Sequence, residues 1–288
     1  MPRAKLNGES VRRPEAGSPR RPARRPDDER EFIFGVHAVT EAVVAGEPLS
    51  RLHVGRRRAS DKDIASLMQK AASRGVRVDV DDDAAFRRYG DAHHQHVVAL
   101  APPYHYADWS GVRAAVRADE NALVVVLDHI EDPHNVGAIL RNAEGAGATA
   151  AVLPERRSAA VTAAVRRAAA GAASHLPVAR VPNIVRSFED LKADGCWIVG
   201  TAAVPEATPY TEVDLTGRCA LVVGAERKGM SHLALQRCDV VAIIPMNGKI
   251  ASLNASSAAA VVLFEAVRQR AGKRLVTGST SGQSPVNP

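Results

Sequence analysis

Residues 123–145 read LVVVLDHIEDPHNVGAILRNAEG, and this stretch decides the fold. Its first five residues, Leu123–Leu127, are all apolar, which is typical of a parallel strand that is buried on both faces. Apolar residues then recur at helical spacing, at Val136, Ile139, Leu140 and Ala143. Asn135, just before them, is a candidate N-cap. The stretch therefore predicts a strand, a loop and a helix, which is the repeating unit of a parallel α/β domain.

Four more short apolar runs support this fold class: Ala150–Leu153, Trp197–Val199, Leu221–Val223 and Val240–Ile244. Helical patterns alternate with them, so the sequence predicts a parallel sheet with helices between its strands. Ligands of such sheets bind at the carboxyl ends of the strands. We therefore look for chemistry in the loops that follow these runs.

A smaller α/β module precedes this domain, from about Phe32 to Tyr106. Helix-like segments and strand-like segments alternate in it, and Val97–Ala101 is predicted to be its last strand because a Pro pair follows. We expect five regions in the chain: a disordered basic arm at 1–30, this module at 31–106, a linker at 107–119, the parallel α/β domain at 120–271 and a disordered tail at 272–288.

The positive charge is concentrated at the ends of the chain. The formal net charge is +6, and residues 1–30 hold nine Lys and Arg against five acidic residues. Residues 31–270 carry equal numbers of both signs. A basic arm attracts polyphosphate without sequence preference, and it is equally compatible with a solvated tail that has no partner.

Several protein classes are excluded by composition. The chain has three widely spaced cysteines and no CxxC pair, which fits a reducing cytoplasm better than a disulfide framework or a zinc site. No signal peptide and no apolar run of the roughly 18 residues needed for a bilayer is present, so we expect a cytoplasmic protein without a membrane span. His93, His94 and His96 lack a carboxylate or Cys at ligand spacing, so we expect no metal there.

The loop after the first strand of the parallel domain carries one polar pair. Arg141 lies off the apolar stripe of the predicted helix, and with Asn135 it is placed to hold a phosphate through a bidentate contact. A capped helix with a surface arginine is the alternative interpretation.

A second loop, residues 221–230, reads LVVGAERKGM. Gly224 and Gly229 permit close approach of the backbone to a ligand, and Glu226 lies beside them at a strand end. The pattern is not a P-loop, because Met230 follows where a lysine is required, and the chain has no GxGxxG fingerprint. Nucleotide hydrolysis and an ordinary Rossmann site both lose support.

A third loop, residues 244–256, reads IPMNGKIASLNAS and runs into an Ala-rich helix. Ser252, Asn254 and Ser256 are either helix caps or polar residues that line a pocket.

Taken in order, these three motifs resemble those of the SpoU/TrmH RNA methyltransferases. The matching patterns are N-x-x-x-x-x-R from Asn135, G-A-E-x-x-G-M from Gly224 and I-P-M-x-G-x-x-x-S-L-N-x-S from Ile244. Upstream, FGVHAV at 34–39 and His94-Gln95 resemble the ribosomal-protein-L30-like substrate-binding domain of this family. The resemblance covers roughly residues 32–270.

The resemblance implies an α/β fold in which a small L30-like substrate-binding domain precedes a trefoil-knotted parallel-sheet methyltransferase domain. It also implies S-adenosylmethionine as cofactor, held chiefly through backbone groups of Gly224, Ile244 and Leu253. A central role falls to Arg141, which Asn135 orients. Glu226, Ser252 and Asn254 complete the implied catalytic site.

The implied reaction is methylation of a ribose 2′-hydroxyl in RNA, and the resemblance is strongest to enzymes that modify a guanosine of 23S ribosomal RNA. The implied partners are 23S rRNA or a pre-ribosomal particle, and a second copy of the chain in a homodimer whose knot regions meet at the interface; whether the two sites share residues stays open. A guanidinium keeps its proton at ordinary pH, so we interpret Arg141 as a phosphate clamp and leave the general base unassigned.

Other substrates and one other function stay open. They are transfer RNA, a different ribosomal nucleotide, and a non-catalytic RNA-binding factor for ribosome assembly. Arg227 and His96 stand where the family usually has small residues, so we expect them to influence RNA choice.

Overall fold

The computed structural model describes residues 31–90, 93–226 and 228–279. Its strands are β1 (Glu31–Phe34), β2 (Arg51–Gly55), β3 (Arg77–Asp81), β4 (Val97–Ala101), β5 (Leu123–Asp128), β6 (Ala150–Pro154), β7 (Val178–Val181), β8 (Trp197–Thr201), β9 (Thr208–Pro209), β10 (Cys219–Gly224) and β11 (Val240–Ile243). Its α-helices are α1 (Val36–Ala45), α2 (Lys62–Ser73), α3 (Trp109–Ala118), α4 (Pro133–Gly145), α5 (Ala163–Ala168), α6 (Ile184–Ala193), α7 (His232–Arg237) and α8 (Ala255–Ser279).

The first four strands form a separate sheet in the order β1-β4-β2-β3. Only β2 and β3 are parallel, whereas β4 is antiparallel to both of its neighbours. Helices α1 and α2 bury an apolar face in a common core that includes Val39, Leu52 and Ile64. Strand β1 was not predicted, because its four residues are too few to show a clear alternation.

The histidines before β4 belong to an aromatic cluster. The rings of His94 and His96 each lie 5.2 Å from the ring of buried Phe86, centroid to centroid. Burial is the main cause of a lowered His94 pKa, and the neighbouring His96 adds to it. These two side chains therefore pack as aromatic rings beside β4.

The second sheet has seven strands in the order β7-β6-β5-β10-β8-β11-β9, and every recorded pairing in it is parallel. The five predicted strands of this domain are confirmed as β5, β6, β8, β10 and β11. Two apolar cores cover the sheet, one on each face. Because β5 and β10 are central neighbours and Asp128 pairs with Gly224 in register, the first two motif loops leave the sheet side by side.

The start of α4 differs from the prediction. The N-cap is Asp132, whose Oδ1 accepts a hydrogen bond from the His134 N–H at 2.9 Å, and Pro133 occupies the first helical position. The assignment of Asn135 as the N-cap was therefore wrong. A proline after an aspartate favours an earlier start, because its fixed φ suits the first turn and its missing N–H costs nothing there.

The end of the chain also differs. Helix α8 continues to Ser279, past Gly272, where the composition predicted a loose tail. Residues 273–277 contain good helix formers and no proline, which allows the helix to continue. The predicted basic arm at 1–30, the end of the tail at 280–288 and Arg227 lie outside the described residues.

A buried ion pair joins the domain of the first sheet to the domain of the second. The Arg166 guanidinium on α5 donates to Glu47, which follows α1, and only 3% of Arg166 is exposed. Arg166 also lies over the ring of Tyr104, 5.5 Å from its centroid, and the Tyr104 hydroxyl donates to the Ala173 carbonyl at 3.0 Å. The first domain is therefore held against α5 by directional contacts.

None of the described helices has the length and apolar content needed to span a bilayer.

Candidate functional site

Three predicted site residues from the three motif loops are joined by hydrogen bonds. The side-chain amide of Asn135 donates to Glu226 Oε1 at 2.9 Å. The Asn254 amide donates to Asn135 Oδ1 at 2.9 Å and also to Glu226 Oε1. The network brings together parts of the chain that are far apart in sequence, and within the described residues it uses one of the two carboxylate oxygens of Glu226.

Each of these side chains is fixed by its local structure. Asn135 is buried in the first turn of α4. Helix α4 packs very closely on α5, since a Cβ at Gly137 would overlap the Ala168 side chain and the α5 backbone. Asn254 Oδ1 accepts from the Ser256 N–H at 2.9 Å at the start of α8. Asn254 is therefore both a helix cap and a site residue.

The predicted cofactor-binding residues line one small cavity of about 160 Å³. Gly224, Ile244 and Leu253 all contribute to its wall, and so does Ser252 from the predicted catalytic set. The remaining walls come from the ends of β8, β10 and β11 and from α8, and most of them are apolar side chains or backbone. This arrangement suits a ligand that is held by backbone polar groups against apolar walls.

Gly224 is required by a tight turn. Residues Ala225 and Gly229 pair with each other through two backbone hydrogen bonds, of 3.1 and 2.7 Å, so the loop after β10 folds back on itself. A Cβ at Gly224 would overlap the backbone of Gly229 and Met230. Only glycine fits there without moving the wall of the small cavity.

A larger cavity of about 580 Å³ adjoins the small one. The two share Ala225, Glu226 and Gly229, and Asn135 lines the larger cavity. Arg157 and Lys228 also line it, which places two cations near the amino terminus of α4. Its wall also carries the acidic side chains of Glu131, Asp132 and Glu226. The cavity is therefore of mixed charge, and its two cations are the groups that would favour an anionic part of a ligand.

Sequence reasoning missed His129, which lines the larger cavity, and the buried Asp128 that contacts it. Asp128 at the end of β5 is fully buried, and its Oδ2 accepts from the Ser231 N–H at 2.6 Å. Its Oδ1 contacts Nδ1 of His129, which lines the cavity. An Asp-His pair directly after a buried strand was the available signal, and the prediction passed over it in favour of Asn135 and Arg141.

Arg141 lies apart from the other predicted site residues. Its exposed side chain is on α4 and lines a different cavity, together with Glu41 and Glu144. Neither cavity beside Glu226 includes it. Within one chain the structure therefore brings together Asn135, Glu226 and Asn254, and it does not bring Arg141 to them.

The cysteines do not offer a reactive thiolate. Burial raises the pKa of Cys196 to about 12, of Cys219 to about 11 and of Cys238 to about 12. Among the described residues no group of three or more His, Cys, Asp or Glu is arranged to hold a metal ion. The chemistry of the two cavities therefore depends on Asn, Asp, Glu, His, Ser and the cations around them.

Comparison with known proteins gives two family matches. A model described as the SpoU rRNA Methylase family matches residues 122–264. A second, described as RNA 2′-O ribose methyltransferase substrate binding, matches residues 32–107. The two matches together span both sheets.

Full-length relatives and solved structures agree with these matches. A protein of Staphylococcus saprophyticus named as a TrmH family tRNA/rRNA methyltransferase is 39% identical over 84% of this chain and 97% of its own length. The SpoU methyltransferase AviRb from Streptomyces viridochromogenes superposes with a TM-score of 0.72 at 25% identity, over 85% of this chain and 91% of that one. Its complex with the cofactor AdoMet superposes with a TM-score of 0.70 at 26% identity, over 84% and 91% of the two chains.

Proposed function

This chain belongs to the SpoU/TrmH family of RNA methyltransferases, and we propose that it methylates a ribose 2′-hydroxyl of RNA with S-adenosylmethionine as the methyl donor. The observation that carries the proposal is the hydrogen-bonded set of Asn135, Glu226 and Asn254, which lies where a small apolar cavity meets a larger, partly cationic one. Two ligands of different character fit side by side there, with polar groups between them.

The small cavity is the proposed cofactor site. Gly224, Ile244 and Leu253 would hold the nucleoside part through their backbone groups, and the apolar walls suit an adenine ring. A related structure contains AdoMet, which supports this assignment. When bound, the cofactor supplies an electrophilic methyl group on a sulfonium. The exposed carboxylate of Glu226 is placed to offset that positive charge, and Ser252 adds a hydroxyl to the same wall.

The larger cavity is the proposed site of the acceptor nucleotide. Arg157 and Lys228 would attract its phosphate, and Asn135 lies at the boundary with the cofactor site. Positioning is the main contribution of such a site, because it replaces an encounter in solution with an oriented in-line approach.

Arg141 is proposed to serve the site of a second copy of the chain. Its side chain is exposed and lies away from both cavities of its own chain. The neighbouring helix α8 exposes Phe264 and Val267, which are 49% and 37% accessible and would be covered in a homodimer. In this arrangement Arg141 clamps a phosphate next to the partner's acceptor site.

The proposed substrate is 23S ribosomal RNA, at a guanosine, either free or in a pre-ribosomal particle. The two-domain organisation supports a large structured RNA, because the first sheet provides a second surface beside the methyltransferase domain. Transfer RNA and other ribosomal nucleotides are the alternatives, and the names of the relatives include both RNA classes. A non-catalytic assembly factor is disfavoured by the intact Asn135, Glu226 and Asn254 network.

The test is transfer of labelled methyl groups from S-adenosylmethionine to unmodified 23S, 16S and transfer RNA, with Arg141→Ala in parallel. We expect label in one RNA, mapped by nuclease digestion to a 2′-O-methyl nucleotide, and little label with the variant. Cofactor and RNA binding without label in any RNA would contradict catalysis and support the assembly factor.

A further inference from the structure

We infer that His129 is the general base that takes the proton from the ribose 2′-hydroxyl, and that the buried Asp128 orients its ring. The inference rests on the proposed function and adds to it the general base, a role that Arg141 cannot fill. A guanidinium has no free acceptor at ordinary pH, whereas a neutral imidazole has one ring nitrogen with a lone pair.

The position of His129 follows from strand register. Asp128 and Gly224 are paired at the ends of β5 and β10, so the next residues of both strands leave the sheet at the same edge. His129 therefore lies close to the loop that carries Glu226, and both residues line the larger cavity.

The hydrogen bonds of Asp128 fix the imidazole. Asp128 is completely buried, and its Oδ2 is held by the Ser231 N–H at 2.6 Å. Its Oδ1 is the partner of His129 Nδ1. A carboxylate accepts only, so Nδ1 is the protonated nitrogen and Nε2 carries the lone pair. No other hydrogen bond is recorded for His129 among the described residues, which leaves Nε2 free toward the cavity.

The backbone of His129 points to a functional requirement. Its φ is +60°, in the left-handed region that glycine favours. A non-glycine residue there costs about 1–2 kcal/mol, and such a cost persists where the surrounding structure fixes it, often at active sites. The side chain itself is 36% exposed, so burial does not hold the ring in place, and its side-chain partner is Asp128 Oδ1.

The charged and titratable groups around the imidazole come from all sides of the cavity: Asp128, Glu131, Asp132, Arg157, Glu226, Lys228 and His232. Glu131 and Asp132 directly precede α4, whereas Arg157 and Lys228 belong to the loops after β6 and β10. His129 is the histidine in this set that is bound to a fully buried carboxylate.

The proposed proton transfer balances with the methyl transfer. The 2′-oxygen forms its bond to the methyl carbon while the carbon–sulfur bond breaks and its electron pair stays on sulfur. The hydroxyl proton moves to His129 Nε2, and the resulting imidazolium is stabilised by Asp128 until water removes the proton.

The test compares wild type with His129→Gln in single-turnover methylation of unmodified ribosomal RNA across pH 5.5–9. We expect the wild-type rate to fall toward acidic pH, because a general base acts only in its unprotonated form. The variant is expected to be slower by roughly 10²–10⁴-fold, the usual contribution of a general base, and to lose that acidic limb. His105→Gln, which removes an exposed histidine between β4 and α3, is the matched control and should retain both rate and pH profile.

A second variant separates catalysis from structure. His129→Gly relieves the backbone cost of about 1 kcal/mol and lets water replace the ring at Asp128, so its melting temperature and its affinity for S-adenosylmethionine should stay near wild type. Its methylation rate should fall as in His129→Gln.

The inference is overturned if both variants stay within about threefold of the wild-type rate, if the acidic limb of the pH profile persists in the variants, or if His129→Gly loses cofactor binding with its activity. Absence of methylation by wild type on every RNA would instead contradict the proposed function.

Discussion

Asn135 donates a hydrogen bond to Glu226 across 91 positions of sequence, at 2.9 Å, and Asn254 donates to the same carboxylate oxygen. One negative charge thus aligns two amides at the junction of the two cavities. Hydrogen bonds to an ionised acceptor are about twice as strong as neutral ones, so the charge of Glu226 matters beyond its shape.

Glu226→Gln is expected to keep the fold and slow methyl transfer. The glutamine retains an acceptor oxygen in the same place but loses the charge that strengthens both bonds. If each bond weakens by about 1 kcal/mol, the single-turnover rate falls about 10- to 50-fold. Glu226→Ala removes the acceptor altogether and should be slower still. Equal rates for wild type and the glutamine variant would show that the charge has no role.

Gly224→Ala is expected to abolish cofactor binding. The new methyl group would overlap the backbone of Gly229 and Met230, so the loop that forms the wall of the small cavity must move. Overpacking of this kind costs about 1–3 kcal/mol in stability, and the melting temperature should fall with the affinity measured by calorimetry. Gly217→Ala is the control, because a Cβ there meets nothing within 4 Å. Wild-type affinity in the Gly224 variant would contradict the assigned cofactor site.

Mixing two inactive variants tests whether Arg141 serves the partner's site. Arg141→Ala and Glu226→Ala should each have little activity alone. In a mixed dimer, one of the two sites would combine an intact Arg141 from one chain with an intact Glu226 from the other. We therefore expect methylation to reappear after the variants are unfolded together and refolded.

Restored activity in the mixture requires that the two residues come from different chains. If Arg141 acts within its own chain, every site in a mixed dimer carries at least one substitution and the mixture stays inactive. Light scattering of each variant before mixing establishes whether dimers form, so inactivity from failed assembly can be distinguished.

The parallel sheet could be predicted from sequence because its signal is local. Runs such as Leu123–Leu127 and Leu221–Val223 are apolar enough to identify a strand buried on both faces. Strand β7, Val178–Val181, escaped prediction, because an arginine interrupts its short apolar run. The sequence signal for a strand weakens as its length approaches four residues.

The site could be predicted only in part, because its contacts are not local. The three motif loops were identified, and the structure joins Asn135, Glu226 and Asn254. The ring orientation of His129 depends on Ser231 holding Asp128 from another loop, which no spacing pattern encodes. The exposed position of Arg141, away from these residues, likewise depends on how α4 packs on α5 and α8.

Asp194→Asn is expected to destabilise the protein in a pH-dependent way. Asp194 ends α6, its side chain is 4% exposed, and it accepts from Arg113 at 2.6 and 3.1 Å and from Arg117 at 2.9 Å. Hydrogen bonding to Arg113 holds the pKa of this carboxyl below its usual value of 3.8, despite its burial, and Arg117 adds to the effect. Charge-assisted hydrogen bonds contribute about 1.5–3 kcal/mol, so urea unfolding at pH 7 should show a loss of that order.

The pH dependence follows from the lowered pKa. A group that is more acidic in the folded state contributes stability above its unfolded pKa, and that contribution is lost as the pH falls through the folded pKa. The difference in unfolding free energy between wild type and Asp194→Asn should therefore be constant from pH 5 to 8 and shrink below pH 4. Asp61→Asn is the control, because Asp61 and its partner Arg58 are 42% and 33% exposed and such pairs contribute less than about 1 kcal/mol. A difference that grows on acidification would show that the carboxyl is not held ionised by the two arginines.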